Sequence, residues 1–155
     1  MTAVLGIDPG VSGGLAVLRA PGVVAHVRAF DPGMTQGDLV NEIRFALDEL
    51  RRLESRRVFI EKVGYMPTDG GKGAFTFGRI DGLIRGALFM AGYPPREIYP
   101  MAWQSRLNCV TGGNKNVSKR KAQELYPGVK VTHSVADALL IAHYGAAISQ
   151  LSPGA

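Results

Sequence analysis

Ala3-Val4-Leu5-Gly6-Ile7, closed by Asp8-Pro9-Gly10 and resumed by Gly14-Leu15-Ala16-Val17-Leu18, is the stretch that decides the fold. Two short apolar runs around a glycine-rich turn read as a β-hairpin, because Asp, Pro and Gly are the residues that turn an extended chain most readily. Pro21-Gly22 marks a second turn. Val23 to Phe30 then supplies a third strand, with Val23, Ala25, Val27 and Ala29 expected on one face by two-residue alternation. The chain therefore opens as a three-stranded antiparallel meander.

Beyond it, Asp31-Pro32-Gly33 breaks the pattern, and from about Gly37 the residues Leu39, Val40, Ile43, Ala46, Leu47, Leu50 and Leu53 recur at helical spacing. Val58-Phe59-Ile60-Glu61 is too apolar for an exposed edge and is expected centrally, beside the first strand. Gly64 to Gly73 reads as a loop. A helix from about Phe75 to Ala91 follows, carrying Gly78, Gly82 and Gly86 on one face. Three helical glycines cost about 3 kcal/mol relative to alanine, so their missing side chains must admit a close neighbour: a second copy of the chain or the protein's own sheet. Glu97-Ile98-Tyr99 is a further strand, Met101 to Leu107 a short helix with Trp103, Ser118 to Tyr126 a basic-faced helix, and Val135 to Ile148 an apolar closing helix. The result is an α/β chain with five strands and flanking helices, read as one domain over residues 1–155.

Composition limits what such a chain can be. Its 155 residues leave no room for a second catalytic domain, and 46% hydrophobic with 20% charged residues is the balance of a globular protein. Eighteen Lys and Arg against thirteen Asp and Glu give a net charge of +5, which favours a polyanionic partner such as nucleic acid. The single cysteine, Cys109, cannot close an intrachain disulfide and reads as a small apolar residue. Met1 runs into the first strand without a basic leader, and no apolar run approaches membrane-spanning length, so a cytoplasmic protein is expected.

Three acids stand where phosphodiester chemistry needs them. Metal-assisted cleavage requires several carboxylates converging on partly hydrated cations. Asp8 ends the first strand, Glu61 ends a strand expected about 4.8 Å away, and Asp137 projects from the last helix. Each also has a simpler reading: Asp8-Pro9-Gly10 as turn chemistry, Glu61 as a solvated strand end, and Ser134-x-x-Asp137 as a helix capping box.

Taken together, the motifs resemble the phage and bacterial RuvC family of Holliday-junction resolvases over almost the whole chain. The matching pieces are Gly6-Ile7-Asp8-Pro9-Gly10 with Ser12-Gly13, Phe59-Ile60-Glu61, Phe75-Thr76-Phe77-Gly78, Pro100 with Trp103, Lys115 and Ser118 ahead of Ala122, Leu125, Tyr126 and Pro127, and Ala136-Asp137-Ala138-Leu139-Leu140-Ile141-Ala142. The first and last are the most specific. The resemblance implies an RNase H-like fold with a mixed sheet, three antiparallel strands followed by parallel ones. It also implies a homodimer acting on branched DNA, and Asp8, Glu61 and Asp137 as metal-binding catalytic acids for two Mg²⁺ ions per site, with Mn²⁺ as an alternative.

One departure matters. The family usually carries a further ligand, mostly Asp, three or four residues before the final Asp, where this chain has Ser134 and His133. His133 lies one helical turn from Asp137, so its imidazole can complete the metal set if the helix starts that early, and nitrogen ligation would suit Mn²⁺. Lys115 matches a family lysine near the scissile phosphate. Lys72, Lys119, Arg120 and Lys121 are further candidates for phosphate contact, with a solvated helix face as the simpler account. Tyr65 and Phe75 are candidates for stacking on exposed bases. Gly78, Gly82 and Gly86 are the candidate dimer face. Flaps, forks or a non-cleaving junction-binding role are the alternatives in function. The actin-like kinases and ATPases, which also open on Gly-Ile-Asp-x-Gly, need two such domains and are excluded by length.

Overall fold

The computed structural model describes residues 2–20, 22–53, 55–64 and 66–151. Its elements run β1 (Thr2–Asp8), β2 (Gly14–Ala20), β3 (Val23–Ala29), α1 (Gln36–Arg51), β4 (Ser55–Glu61), α2 (Gly71–Met90), β5 (Arg96–Ile98), α3 (Pro100–Arg106), α4 (Lys115–Leu125) and α5 (His133–Leu151). The strands form one mixed sheet in the order β3-β2-β1-β4-β5, antiparallel from β1 to β3 and parallel from β1 through β4 to β5. The meander and the central place of β4 are as the sequence predicts. No helix among the described residues is long and apolar enough to cross a membrane.

Alternation along β1 distributes the core. Ala3, Leu5 and Ile7 join α1 and α2 on one face, with Leu39, Ile43, Leu47, Leu50, Ile84 and Leu88. Val4 faces the other way, with Phe59 of β4, towards Trp103, Ala122 and the buried face of α5. Asp8 continues the Val4, Gly6 series and Glu61 continues from Phe59, so both acids emerge on the α5 side. Ile7 pairs with Ile60, which brings the next residues, Asp8 and Glu61, to the ends of adjacent strands.

What seats α5 on that face is an absent side chain. A Cβ at Gly6 would run into the backbone nitrogen of Ala142 and stand 2.6 Å from the carbonyl oxygen of Ala138. One at Gly14 would stand 2.6 Å from the Ser134 carbonyl oxygen. The α5 backbone thus lies directly on β1 and β2, with Asp137 held over the end of β1.

Several expectations need correction. The face assigned to Val23, Ala25, Val27 and Ala29 is split, because the β2–β3 register shifts between Val17 and Leu18 and again between Leu18 and Ala20. These irregularities turn Ala25 to the α1 side, leave Val27 and Ala29 facing α5, and leave Val23 half exposed. The second helix starts at Gly71, inside the segment read as a loop, since Ala74 N already bonds to Gly70 O at 2.9 Å despite the poor helix propensity of glycine. Helix α4 begins at Lys115, where the Asn114 side chain caps it. Helix α5 begins at His133, with Ala136 N bonded to Thr132 O at 3.1 Å, so Ser134 lies inside the first turn and the capping-box reading fails.

Gly78, Gly82 and Gly86 do not pack on the sheet. Beyond the helix's own backbone, no atom of the described residues lies within 4 Å of a Cβ built at any of them, and Phe75 and Phe89 on the same helix are 71% and 61% exposed. Ile84 and Leu88, with Ile80, Leu83 and Ala87, are the residues α2 turns to the core. Of the two accounts of the glycines, close packing on the protein's own sheet is therefore ruled out.

The seating of α5 predicts that Gly6→Ala will destabilise the domain by about 3 kcal/mol, the upper range for overpacking a rigid contact. Gly82→Ala, with open space before it, should be neutral or slightly stabilising. Chemical denaturation measures both, and an unchanged Gly6→Ala midpoint would contradict the contact.

Candidate active site

Asp8 leaves β1 half-buried, and its Oδ1 accepts a hydrogen bond from Gly10 N at 3.2 Å. The Asp-Pro-Gly segment is therefore both a turn and the mount of a carboxylate. Burial, and after it the nearby Asp137 charge, push the Asp8 carboxyl up to about 6 against the opposing Gly10 N–H and Lys115. Glu61 at the end of β4 is pushed up to about 7, chiefly by burial and then by Asp8 and Asp137; the Trp103 indole and Lys115 counter this. Asp137 is also raised by burial, and its Oδ1 is buried with no hydrogen-bond partner among the described residues. The Ser118 hydroxyl, Lys115 and His133 favour its ionised form.

Three electrostatically linked carboxylates and one common lysine thus share a corner of the protein. Lys115, the first residue of α4, acts on all three acids. His133 opens α5, exposed, one turn before Asp137. Among the described residues no three His, Cys, Asp or Glu side chains close into a ready coordination sphere, so the cluster is open as it stands. Its chemistry nevertheless fits a hard divalent cation: the donors are carboxylate oxygens, the basic groups acting on them are Lys115 and His133 alone among the described residues, and one oxygen is orphaned in the interior.

Two residues that shape the corner carried no assigned role in the sequence. Trp103, fully buried on α3, donates from Nε1 to Glu61 Oε2 at 2.7 Å. Ser118, only 1% exposed, lies 3.2 Å from the Lys115 carbonyl oxygen and also acts on Asp137. A polar residue on the buried side of an amphipathic helix was the available signal for Ser118. The Trp103 contact spans 42 residues and leaves no local pattern.

Lys72, Lys119, Arg120 and Lys121 are not among the groups that act on the three carboxyls. Lys72 and Phe75 are exposed near the start of α2. Lys119 and Arg120 border a shallow depression on α4 with Asn116 and Gln123. Lys121 is ion-paired with Glu124 at 3.0 Å. Tyr65 lies outside the described residues. Cys109 is buried, and His143 is hydrogen-bonded to the Tyr126 hydroxyl at 2.8 Å.

A mixed sheet of three antiparallel and two parallel strands, with helices on both faces and carboxylates at the ends of β1 and β4, defines an RNase H-like fold. Comparison with solved structures places it more narrowly, as RuvC-like. A T. thermophilus RuvC in complex with Holliday junction substrate superposes with a TM-score of 0.72 at 23% identity, covering 97% of this chain and 96% of that one. A second Thermus thermophilus RuvC structure gives a TM-score of 0.67 at 25% identity, covering 96% of each chain. No protein-family model and no curated protein sequence matches the chain.

The raised carboxyls set the pH dependence of the metal-free protein. Folded Asp8 and Glu61 hold their protons up to about 6 and about 7, whereas the unfolded chain releases them near 4. Their contribution to stability is thus fully present below pH 4 and is lost as pH rises through 6 to 7. Asp8→Asn keeps the acceptor for Gly10 and removes the charge, so at pH 8 it should stabilise the metal-free protein by about 2 kcal/mol, with little effect at pH 4. Thermal unfolding across that range checks this, and a destabilised variant at pH 8 would contradict it.

Proposed function

We propose that this chain is a metal-dependent endonuclease that resolves Holliday junctions by paired nicks near the branch point. The observation that carries the reading is the meeting of Asp8, Glu61 and Asp137 around an orphaned carboxylate oxygen, within a RuvC-like fold. The RuvC bound to Holliday junction substrate supports the choice of DNA.

Asp8, Glu61 and Asp137 would hold Mg²⁺ or Mn²⁺, two ions per site, with His133 adding a nitrogen ligand from the preceding turn. Cations bound there supply an activated water and stabilise the departing oxygen. The protein's own groups do the positioning. Gly10 N–H and the Trp103 indole orient two of the carboxylates. Lys115 offers its ammonium group to the scissile phosphate at the start of α4, where the helix dipole adds positive potential. Lys119 and Arg120 on α4, with Lys72 on α2, extend the phosphate-binding surface, while Phe75 presents a ring on which an unpaired base can stack. Lys121, already paired with Glu124, contributes less.

The open glycine face of α2 supports a homodimer. Gly78, Gly82 and Gly86 leave room for a second backbone, and exposed Phe89 and Met90 give the face apolar area to bury. A two-fold pair presents two identical sites, which suits a substrate with near two-fold symmetry and two strands to cut.

Incubation with a synthetic four-way junction, beside linear duplex, fork and flap, tests the reading. Symmetric paired nicks in the junction, dependent on Mg²⁺ or Mn²⁺, are expected; preferential cutting of a flap or fork would replace the junction assignment. Asp8→Asn, Glu61→Gln and Asp137→Asn should each abolish cleavage and retain junction binding, and full activity in any one would remove that residue from the site. Lys115→Ala should slow the single-turnover rate on the order of 100-fold at saturating DNA, as loss of a charge-stabilising donor does; an effect on affinity alone would contradict its placement. Gly82→Leu should give a folded monomer that makes single, uncoordinated nicks, and a wild type that is monomeric with and without junction DNA would overturn the dimer.

A further inference from the structure

Trp103 is the single tryptophan of the chain and has no exposed surface. A buried indole N–H needs an acceptor, and here that acceptor is an oxygen of a carboxylate assigned to the cation site. The 2.7 Å separation lies in the range of charge-assisted hydrogen bonds. Among the described residues the carboxylate's hydrogen bond falls on Oε2 alone, so the two oxygens are differentiated: one is engaged by the protein and one is left to ligate.

The supports of Trp103 hold it in register with the strand that carries Glu61. Ile98 ends β5, Tyr99 is the N-cap residue and Pro100 opens α3, a helix of seven residues. Its far end is closed by Leu107 N to Trp103 O at 3.0 Å and Cys109 N to Gln104 O at 2.9 Å, with Asn108 in the left-handed region at φ 54°. The Gln104 side chain accepts from Thr111 N at 3.3 Å and ties the following loop to the same helix. At the near end, Lys62 N bonds to Ile98 O at 2.8 Å, immediately after Glu61. One continuous segment, β5 to α3, therefore holds the Lys62 main chain beside Glu61 on one side and the Glu61 carboxylate on the other.

We propose that Trp103 is a positioning residue for the cation site: its indole N–H locks the Glu61 carboxylate so that Oε1 is the oxygen presented to a cation, and its emission reports cation binding directly. The inference rests on the reading of the three acids as a cation site. A ligand whose partners fix its orientation binds a metal more tightly than a free rotor, and loss of such a partner typically costs roughly 10- to 100-fold in affinity. A tryptophan that merely filled the core would contribute volume but not this effect.

The test uses the full-length, metal-free protein titrated with Mg²⁺, followed in parallel by calorimetry and by tryptophan emission. A saturable emission change with the calorimetric midpoint is expected. Trp103→Phe opens a cavity as well as removing the donor, so the deciding variant carries benzothienylalanine at position 103, which keeps the ring shape and replaces N–H by sulfur. Its calorimetric midpoint should rise roughly 10-fold or more with an unchanged circular dichroism spectrum. A wild-type midpoint in the sulfur variant, or an emission that stays constant through calorimetric saturation, would overturn the role of Trp103. If Asp8→Asn abolishes binding while the sulfur variant binds as wild type, Trp103 alone is misassigned. Absence of any saturable Mg²⁺ binding by the wild type would remove the cation reading and this inference together.

Discussion

The contact between the backbone of α5 and the backbone of β1 governs the rest of the molecule. A helix on a sheet normally rides on a layer of side chains, which keeps the two backbones about 10 Å apart. At Gly6 that layer is missing, and Ala138 and Ala142 come down onto the strand. Asp137, adjacent to Ala138, is thereby lowered towards the end of β1, where the Asp-Pro-Gly turn lifts Asp8 out of the sheet. The third acid follows from pairing rather than packing, since parallel β4 ends level with β1. A bulkier residue at position 6 would displace α5 and with it the only acid in the cluster that does not belong to the sheet.

Assembling the cluster works against the stability of the empty protein. Desolvation raises all three carboxyls, repulsion from neighbouring acids adds to it at Asp8 and Glu61, and the compensating groups are few: Lys115, His133, the Gly10 N–H, the Trp103 indole and the Ser118 hydroxyl. The surrounding core tolerates this because α5 is buried along much of its length, from Val135 through Ala146, and contributes large apolar contacts on either side of the acids. Strain concentrated at one corner and supported by a well-packed scaffold is the pattern expected of a site built to bind charge rather than to fold.

Much of this architecture was legible in the sequence, and the reasons are physical. Alternating apolar runs with turn residues between them define β1, β2 and β4, and strand pairing brings Asp8 and Glu61 together without knowledge of any side-chain contact. Helical periodicity locates α1, and a long apolar stretch locates α5. What escaped was of two kinds. Local irregularities, such as the β2–β3 register shifts and the glycine-rich start of α2, run against residue propensities and depend on neighbours distant in sequence. Tertiary roles carry no periodic signal: the Gly6 contact with α5 and the Trp103 bond to Glu61 each join segments far apart in the chain. The three spaced glycines of α2 were conspicuous in sequence, yet the glycines that shape the site are Gly6 and Gly14.

The central claim is that seating α5 on β1 brings Asp8, Glu61 and Asp137 onto common cations. A crystal structure grown with Mn²⁺, located by its anomalous scattering, tests it most directly. The account predicts an anomalous peak within ordinary ligand distance of oxygens from all three residues, with Glu61 contributing Oε1 while Oε2 stays on the Trp103 indole. Peaks elsewhere with none in this corner, or an ion held without Asp137, would contradict it.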